Sequence, residues 1–156
     1  MSHRIAIVIE EPNWRETRAL PARIKQAAAR ALRHVAKDRR TEALTILLTG
    51  DARLKALNLT FLRKDKSTNV LSFPAKGDDG YLGDIAIAFG VAAAEARDAG
   101  KTLADHAAHL TVHGVLHLLG YDHETVRDAR AMEPLETAIL AELGIPDPYA
   151  RRTRAA

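Results

Sequence analysis

The sequence predicts an α+β fold, a mixed four-stranded sheet with about five helices, and a metal site on one helix and the turn after it. Four apolar runs of strand length are interleaved with segments whose apolar residues recur every three or four positions. A long helical segment separates the first two runs, as a crossover requires. A turn rich in glycine and aspartate joins the last two, as in an antiparallel hairpin. Crossovers and a hairpin in one chain give a mixed sheet with helices packed on it. Two histidines four residues apart, then a glycine and a third histidine, supply candidate metal ligands.

Each element follows from its local pattern. The nearly continuous apolar run Arg4–Ile9 reads as a buried strand. Glu10–Trp14, with Pro12, is a loop, and Pro21 suits the first turn of a helix. Ile24, Ala27, Ala28, Ala31 and Val35 form one stripe of that helix, with Arg23, Lys25, Arg30 and Arg33 around the rest. Leu44–Leu48 is a second buried strand. Asp51 is placed to cap a helix from about Ala52 to Leu62, whose apolar face is Leu54, Leu57 and Phe61. Arg63–Ser67 is a basic loop. Asn69–Phe73 is the third strand, stopped by Pro74, and Gly77–Gly80 is the turn into a fourth, Leu82–Phe89.

Val91–Ala99 is a short helix ended by Gly100. Thr102 and Asp105 resemble a capping box for a helix running from Leu103 to Leu119. Glu124–Leu143 is mostly helical, with Met132, Leu135, Ile139 and Leu143 on one face and a kink or fresh start expected at Pro134. Residues 1–150 form one domain, and 151–156 a disordered tail.

Composition narrows the chemistry. The chain has 156 residues and no cysteine, so disulfides and thiolate ligands are excluded, and a metal must use His, Asp or Glu. Aromatic content is 4%, so the core is aliphatic. No apolar run approaches the ~20 residues that span a bilayer, and Ile5–Ile9 is shorter than a signal-peptide core. A soluble, cytoplasmic protein without membrane partners is expected. Residues 1–76 hold 16 Lys and Arg against 7 Asp and Glu, whereas residues 77–156 hold 7 against 13. A basic half beside an acidic half that carries a metal motif suits a polyanionic substrate, although solvated helix faces explain many such runs.

The stretch His113-Gly114-Val115-Leu116-His117-Leu118-Leu119-Gly120-Tyr121-Asp122-His123 organises the rest. Spacing of four stacks His113 and His117 on one helical face, so both imidazoles reach the same point. Gly120 ends the helix at little cost, and the chain then returns His123 from another direction. Three neutral imidazoles suit zinc and leave its fourth position open to water. The spacing is also that of the long zinc peptidase motif, but the position of that motif's general base is Gly114. A buried helix with incidental histidines is the bland alternative, which three histidines at these offsets disfavour.

HGVLHLLGYDH resembles the signature of the YbeY family, bacterial metal-dependent endoribonucleases. Leu57-Asn58, Thr68–Pro74, Leu82–Ile85, and Leu135-Glu136 leading to Asp147-Pro148-Tyr149 fit the family in the same order. The resemblance spans roughly residues 43 to 150. It implies a similar α+β fold, and zinc held by His113, His117 and His123. It also implies a single-stranded RNA substrate, maturation of the 3′ end of small-subunit (16S) ribosomal RNA, and ribosome quality control. The family places a functional arginine in the basic loop, after an aromatic and before a small residue. Here Leu62 falls between Phe61 and Arg63, so the arginine comes one position late, and Arg63 is the nearest candidate. Lys64 and Lys66, with Arg23, Arg30 and Arg33 of the first helix, are the candidate RNA contacts. A ribosome-assembly factor with a purely structural metal is the alternative function, and a metallopeptidase the third reading.

Other polar residues have quieter roles. His109 shares the ligand face but lies a turn further from Gly120, so packing or hydrogen bonding suits it and His106 better. His3 and His34 read as surface residues. Asp122 is a turn residue or an acceptor behind His123, and Asp84 is structural or faces the site. Ser72 has no His–Asp partnership in the sequence, which disfavours a serine hydrolase.

Overall fold

The computed structural model describes residues 4–16, 19–35, 43–76, 80–121 and 126–150, the side chains of 126–129 excepted. Strands β1 (Arg4–Ile9), β2 (Ala43–Thr49), β3 (Val70–Pro74) and β4 (Tyr81–Ala88) pair in the order β1-β2-β4-β3. β1 and β4 run parallel to β2, and β3 runs antiparallel to β4, so the sheet is mixed as the turn chemistry predicts. Helices α1 (Ala19–Val35), α2 (Asp51–Leu62), α3 (Phe89–Asp98), α4 (Leu103–Leu118) and α5 (Val126–Glu142) complete the fold. Among the described residues no helix is long and apolar enough to cross a membrane.

Strand alternation divides the core. Ile5, Leu44, Ile46, Leu48, Ile85 and Ile87 join α1, α4 and α5 in one apolar cluster. Leu71, Ala86, Ala88 and the partly buried Phe73 lie in a second cluster with Leu54 of α2. The sheet therefore has α2 on one face and the other long helices on the opposite face.

Several elements differ from expectation for identifiable reasons. β1 is an edge strand, so only Ile5 is fully buried and Val8 stays 46% exposed. The segment after it is not plain loop. Pro12–Arg15 forms a short 3-10 turn that buries Trp14, whose indole N–H donates to the Thr49 carbonyl at 2.9 Å. Phe61 is 64% exposed rather than part of a buried face, and packs edge-on against Phe73. Pro134 lies inside an unbroken α5, on its exposed side, where the carbonyl that loses its partner can meet water.

Asp51 does not cap its own helix. Gly50 occupies that N-cap position, and the Asp51 carboxylate instead accepts the Val91 N–H in the first turn of α3, at 3.0 Å. Gly90 leaves the room, because a Cβ there would lie 2.2 Å from Asp51 Oδ2. As expected, the Thr102 hydroxyl accepts the Asp105 N–H and starts α4.

Loss of the cap that joins α2 to α3 has a measurable cost. Asp51→Ala should destabilise the fold by about 1 kcal/mol, and Gly90→Ala should do at least as much although alanine is the better helix former. Denaturant unfolding of both variants checks this. An unchanged midpoint for Asp51→Ala would remove the capping role.

Candidate metal centre and cleft

α4 lies close on the sheet because Gly114 has no side chain. A Cβ there would come within 2.9 Å of Ile85 Cγ2, and the Gly114 carbonyl accepts the Ser72 hydroxyl at 3.1 Å. The position of the peptidase glutamate is therefore packed on β4, with no room for that side chain. One residue earlier and three later, His113 and His117 project together, their Nε2 atoms 3.0 Å apart. Gly120, at φ 101°, closes the helix below them: its N–H and that of Tyr121 bond back to the His117 and Leu116 carbonyls.

Behind the pair stands a residue whose role the sequence reading left unassigned. Glu136 of α5 is 1% exposed. One carboxylate oxygen lies 3.3 Å from His113 Nδ1, and the other lies 2.6 Å from His109 Nε2 and accepts the Tyr149 hydroxyl at 3.0 Å. An acceptor at Nδ1 places the imidazole proton there and leaves the His113 Nε2 lone pair facing His117. Burial alone would raise the Glu136 pKa, but hydrogen bonds from both imidazoles, and their positive charge once acid protonates them, hold it at about 2. The signal was present: Glu136 falls on the apolar stripe of its helix, four after Met132 and three before Ile139, where an acid needs a partner.

The pair opens into a cleft of about 410 Å³, whose walls include Leu62, Lys64, Asn69, Ser72, His113 and His117. Lys64 is thus in the cleft, whereas Arg63 is not among its lining residues. Arg63 terminates α2 in the left-handed conformation, at φ 58°, with its side chain exposed. Lys66 is also exposed, and its carbonyl accepts from the buried Asn58 amide at 3.1 Å, which fixes the loop.

On α1, the Arg23 guanidinium donates to the Leu143 carbonyl at 2.8 Å, and Arg30 lies 3.4 Å from Glu142, which also meets His34. Arg33 is exposed. Asp84 points to the opposite sheet face, where the Tyr81 hydroxyl donates to it. His106 pairs with Glu95 at 2.8 Å, so both His106 and His109 are hydrogen-bonded as expected. His3, Asp122 and His123 lie outside the described residues.

The spacing of the two described imidazoles is compatible with zinc. Two nitrogens on a tetrahedral zinc at about 2.0–2.1 Å lie about 3.3 Å from each other, close to the 3.0 Å found here. The carboxylate behind His113 is the usual outer partner of a metal-bound imidazole. Among the described residues no group of three or more His, Cys, Asp or Glu side chains is placed to hold a metal ion, and the expected third ligand is His123.

Comparison with known proteins identifies the family. The profile of the family described as Endoribonuclease YbeY matches residues 9–144. This chain belongs to the YbeY family. Endoribonuclease YbeY of Rhodopseudomonas palustris is 46% identical to it, covering 95% of this chain and 82% of that protein. The YbeY proteins of Paramagnetospirillum magneticum and Nitrobacter winogradskyi are each 48% identical, over 93% and 92% of this chain and 94% and 80% of theirs. The solution structure of TM1509 from Thermotoga maritima has the same fold, with a TM-score of 0.63 over 97% of this chain and 93% of that one at 24% identity. The family match starts at residue 9 and so also takes in α1, ahead of the motifs that carry the YbeY resemblance.

The depressed Glu136 pKa links the site to acid stability. Its folded value of about 2 lies below the ordinary 4.5, so its stabilisation is complete above pH 4.5 and is lost as pH falls through 2. The wild-type chain should lose on the order of 3 kcal/mol across that window, and Glu136→Gln should flatten the slope. Urea unfolding at stepped pH measures it, and equal slopes in both proteins would contradict the assignment.

Proposed function

We propose that this chain is a zinc-dependent endoribonuclease that cuts single-stranded RNA. The observation that carries this is the convergent His113–His117 pair, backed by buried Glu136 and open to a cleft with Lys64 on its wall. The YbeY profile and the relatives named Endoribonuclease YbeY support the same reading. His113, His117 and His123 would hold the zinc, and Glu136 keeps His113 in the tautomer that offers Nε2. Zinc bound there would supply a Lewis acid and a water whose pKa is lowered to about 7.

The remaining work belongs to the chain's own side chains. Lys64 meets phosphate as a point charge from the cleft wall. Arg63, on the loop beside it, brings a guanidinium fork to the phosphate or to the charge of the transition state. The proposed natural substrate is ribosomal RNA in the cytoplasm, with the 3′ end of 16S RNA on the small ribosomal subunit as the site of maturation. Ribosome quality control is the associated role. These assignments rest on the family resemblance.

Metal analysis with a nuclease assay tests the core of the proposal. The wild-type chain should hold about one zinc and cleave a short single-stranded RNA. His113→Ala, His117→Ala and His123→Ala should each lose most metal and activity, while His109→Ala keeps its metal. Arg63→Ala should keep metal and fold and slow single-turnover cleavage by about 10²–10³, with Arg63→Lys recovering only part. Full occupancy in His123→Ala would break the ligand set. A zinc-loaded wild type that cuts no RNA would favour the assembly factor with a structural metal.

Salt dependence separates the two basic surfaces. If Lys64 meets one phosphate, Lys64→Ala should lower the log–log salt slope of RNA binding by about 1. Neutralising Arg23, Arg30 and Arg33 together should flatten the slope further if α1 also meets phosphate. An unchanged slope in that triple variant leaves α1 a packing helix and assigns the binding surface to the 63–66 loop.

A further inference from the structure

Asn69 sits at the entry to β3 and lines the same cleft as His113, His117 and Lys64. Its backbone is fixed by the Ala88 N–H, which donates to the Asn69 carbonyl at 2.9 Å. Its side chain is fixed as well. Nδ2 lies 3.0 and 3.3 Å from the two carboxylate oxygens of Glu95 on α3. Glu95 is held in turn by His106 of α4, whose Nε2 is 2.8 Å from the same oxygen that takes the shorter bond. Burial lowers the His106 pKa against the pull of Glu95. A neutral ring donating from Nε2 leaves Nδ1 as a bare lone pair, consistent with that buried atom having no partner.

A carboxylate only accepts hydrogen bonds, so the Asn69 amide nitrogen must face Glu95 and the amide oxygen must face away. No described side chain or backbone group donates to that oxygen, and it is not among the buried polar atoms that lack a partner. It is therefore an accessible acceptor on a residue of a cleft that is also lined by Lys64, Thr68, Ser72 and two imidazoles. Its complement is a neutral donor on the bound strand.

We infer that Asn69 is a specificity residue whose fixed carboxamide oxygen accepts a hydrogen bond from a ribose 2′-hydroxyl, with Glu95 and His106 as positioning residues. The inference rests on the reading of the cleft as an RNA site. Of the donors on RNA, the 2′-hydroxyl lies nearest the phosphodiester, and the phosphodiester is the group that Lys64 and the histidine pair would hold. It is also the group that distinguishes RNA from DNA. Because Glu95 occupies the amide nitrogen, only the oxygen of Asn69 is offered to the bound strand.

The test uses the full zinc-loaded chain and short fluorescent single-stranded RNAs in which one ribose at a time is replaced by 2′-deoxyribose. Binding is read by anisotropy in the cold, and cleavage on gels from the same samples. In the wild type, one substitution should weaken binding roughly 3- to 10-fold, the range for one hydrogen bond. Asn69→Ala should bind all-ribose RNA that much more weakly and should no longer respond at that position. Glu95→Gln is a second variant, of nearly the same shape and on a partly exposed side chain. It should shrink the same penalty with metal content unchanged.

The inference is overturned if no position carries a penalty in the wild type, or if the penalty survives in both variants. It also fails if removal of an exocyclic base amine, rather than the hydroxyl, abolishes the dependence on Asn69. Binding that shows the predicted coupling without any cleavage would support Asn69 while removing the nuclease reading, so the two stand or fall separately.

Discussion

The missing side chain at Gly114 sets the distance between α4 and the sheet, and the cleft depends on that distance. With Ile85 Cγ2 only 2.9 Å from where a Cβ would be, the helix rests against β4 and its backbone reaches the edge of β3. The Ser72 hydroxyl then bonds the Gly114 carbonyl and ties strand to helix beside the histidine pair. A larger residue would lift α4 and separate the His113–His117 wall from the Lys64–Asn69 wall. The same contact accounts for the absence of the peptidase glutamate, because that position belongs to the packed face of the helix.

Glu136 then converts a helical spacing into a chemically defined site. Residues at i and i+4 share a face, but spacing does not choose between the two nitrogens of each ring. The buried carboxylate makes that choice for His113. Its desolvation is offset by donors from His109, His113 and Tyr149, so the group is stable as an anion although α5 buries it completely. His109 thus holds the acid that orients His113. Tyr149, from the segment after α5, is the third donor and joins the end of the described chain to its centre.

Charge is distributed by the same packing. The basic first half suits a polyanionic substrate, but its cations divide between tasks. Arg23 bonds the end of α5 through the Leu143 carbonyl, and Arg30 meets Glu142 there, while Lys64 turns into the cleft. Composition counts charges and does not distinguish a cation that fastens two helices from one that meets solvent. Asp51 makes a similar point: its position before a helix identifies a capping residue, but its carboxylate accepts from the first turn of α3.

The sequence by itself determined the element order, the hairpin, the end of α4 at Gly120 and the metal-ligand candidates. Each rests on interactions between residues close along the chain: strand alternation, turn chemistry and the four-residue helical repeat. The unbroken passage of α5 through Pro134 and the exposure of Phe61 were not legible, because each depends on which side of an element faces water. Only the tertiary structure decided that Glu136 and Tyr149 stand behind the histidines, and that Glu95 reaches Asn69 across 26 positions. It alone also turned Asp84 away from the cleft. A buried carboxylate or a fixed amide is defined by donors from distant segments, and those donors meet only when helices and sheet pack. Local pattern therefore supplied the groups, and packing supplied their protonation, orientation and partners.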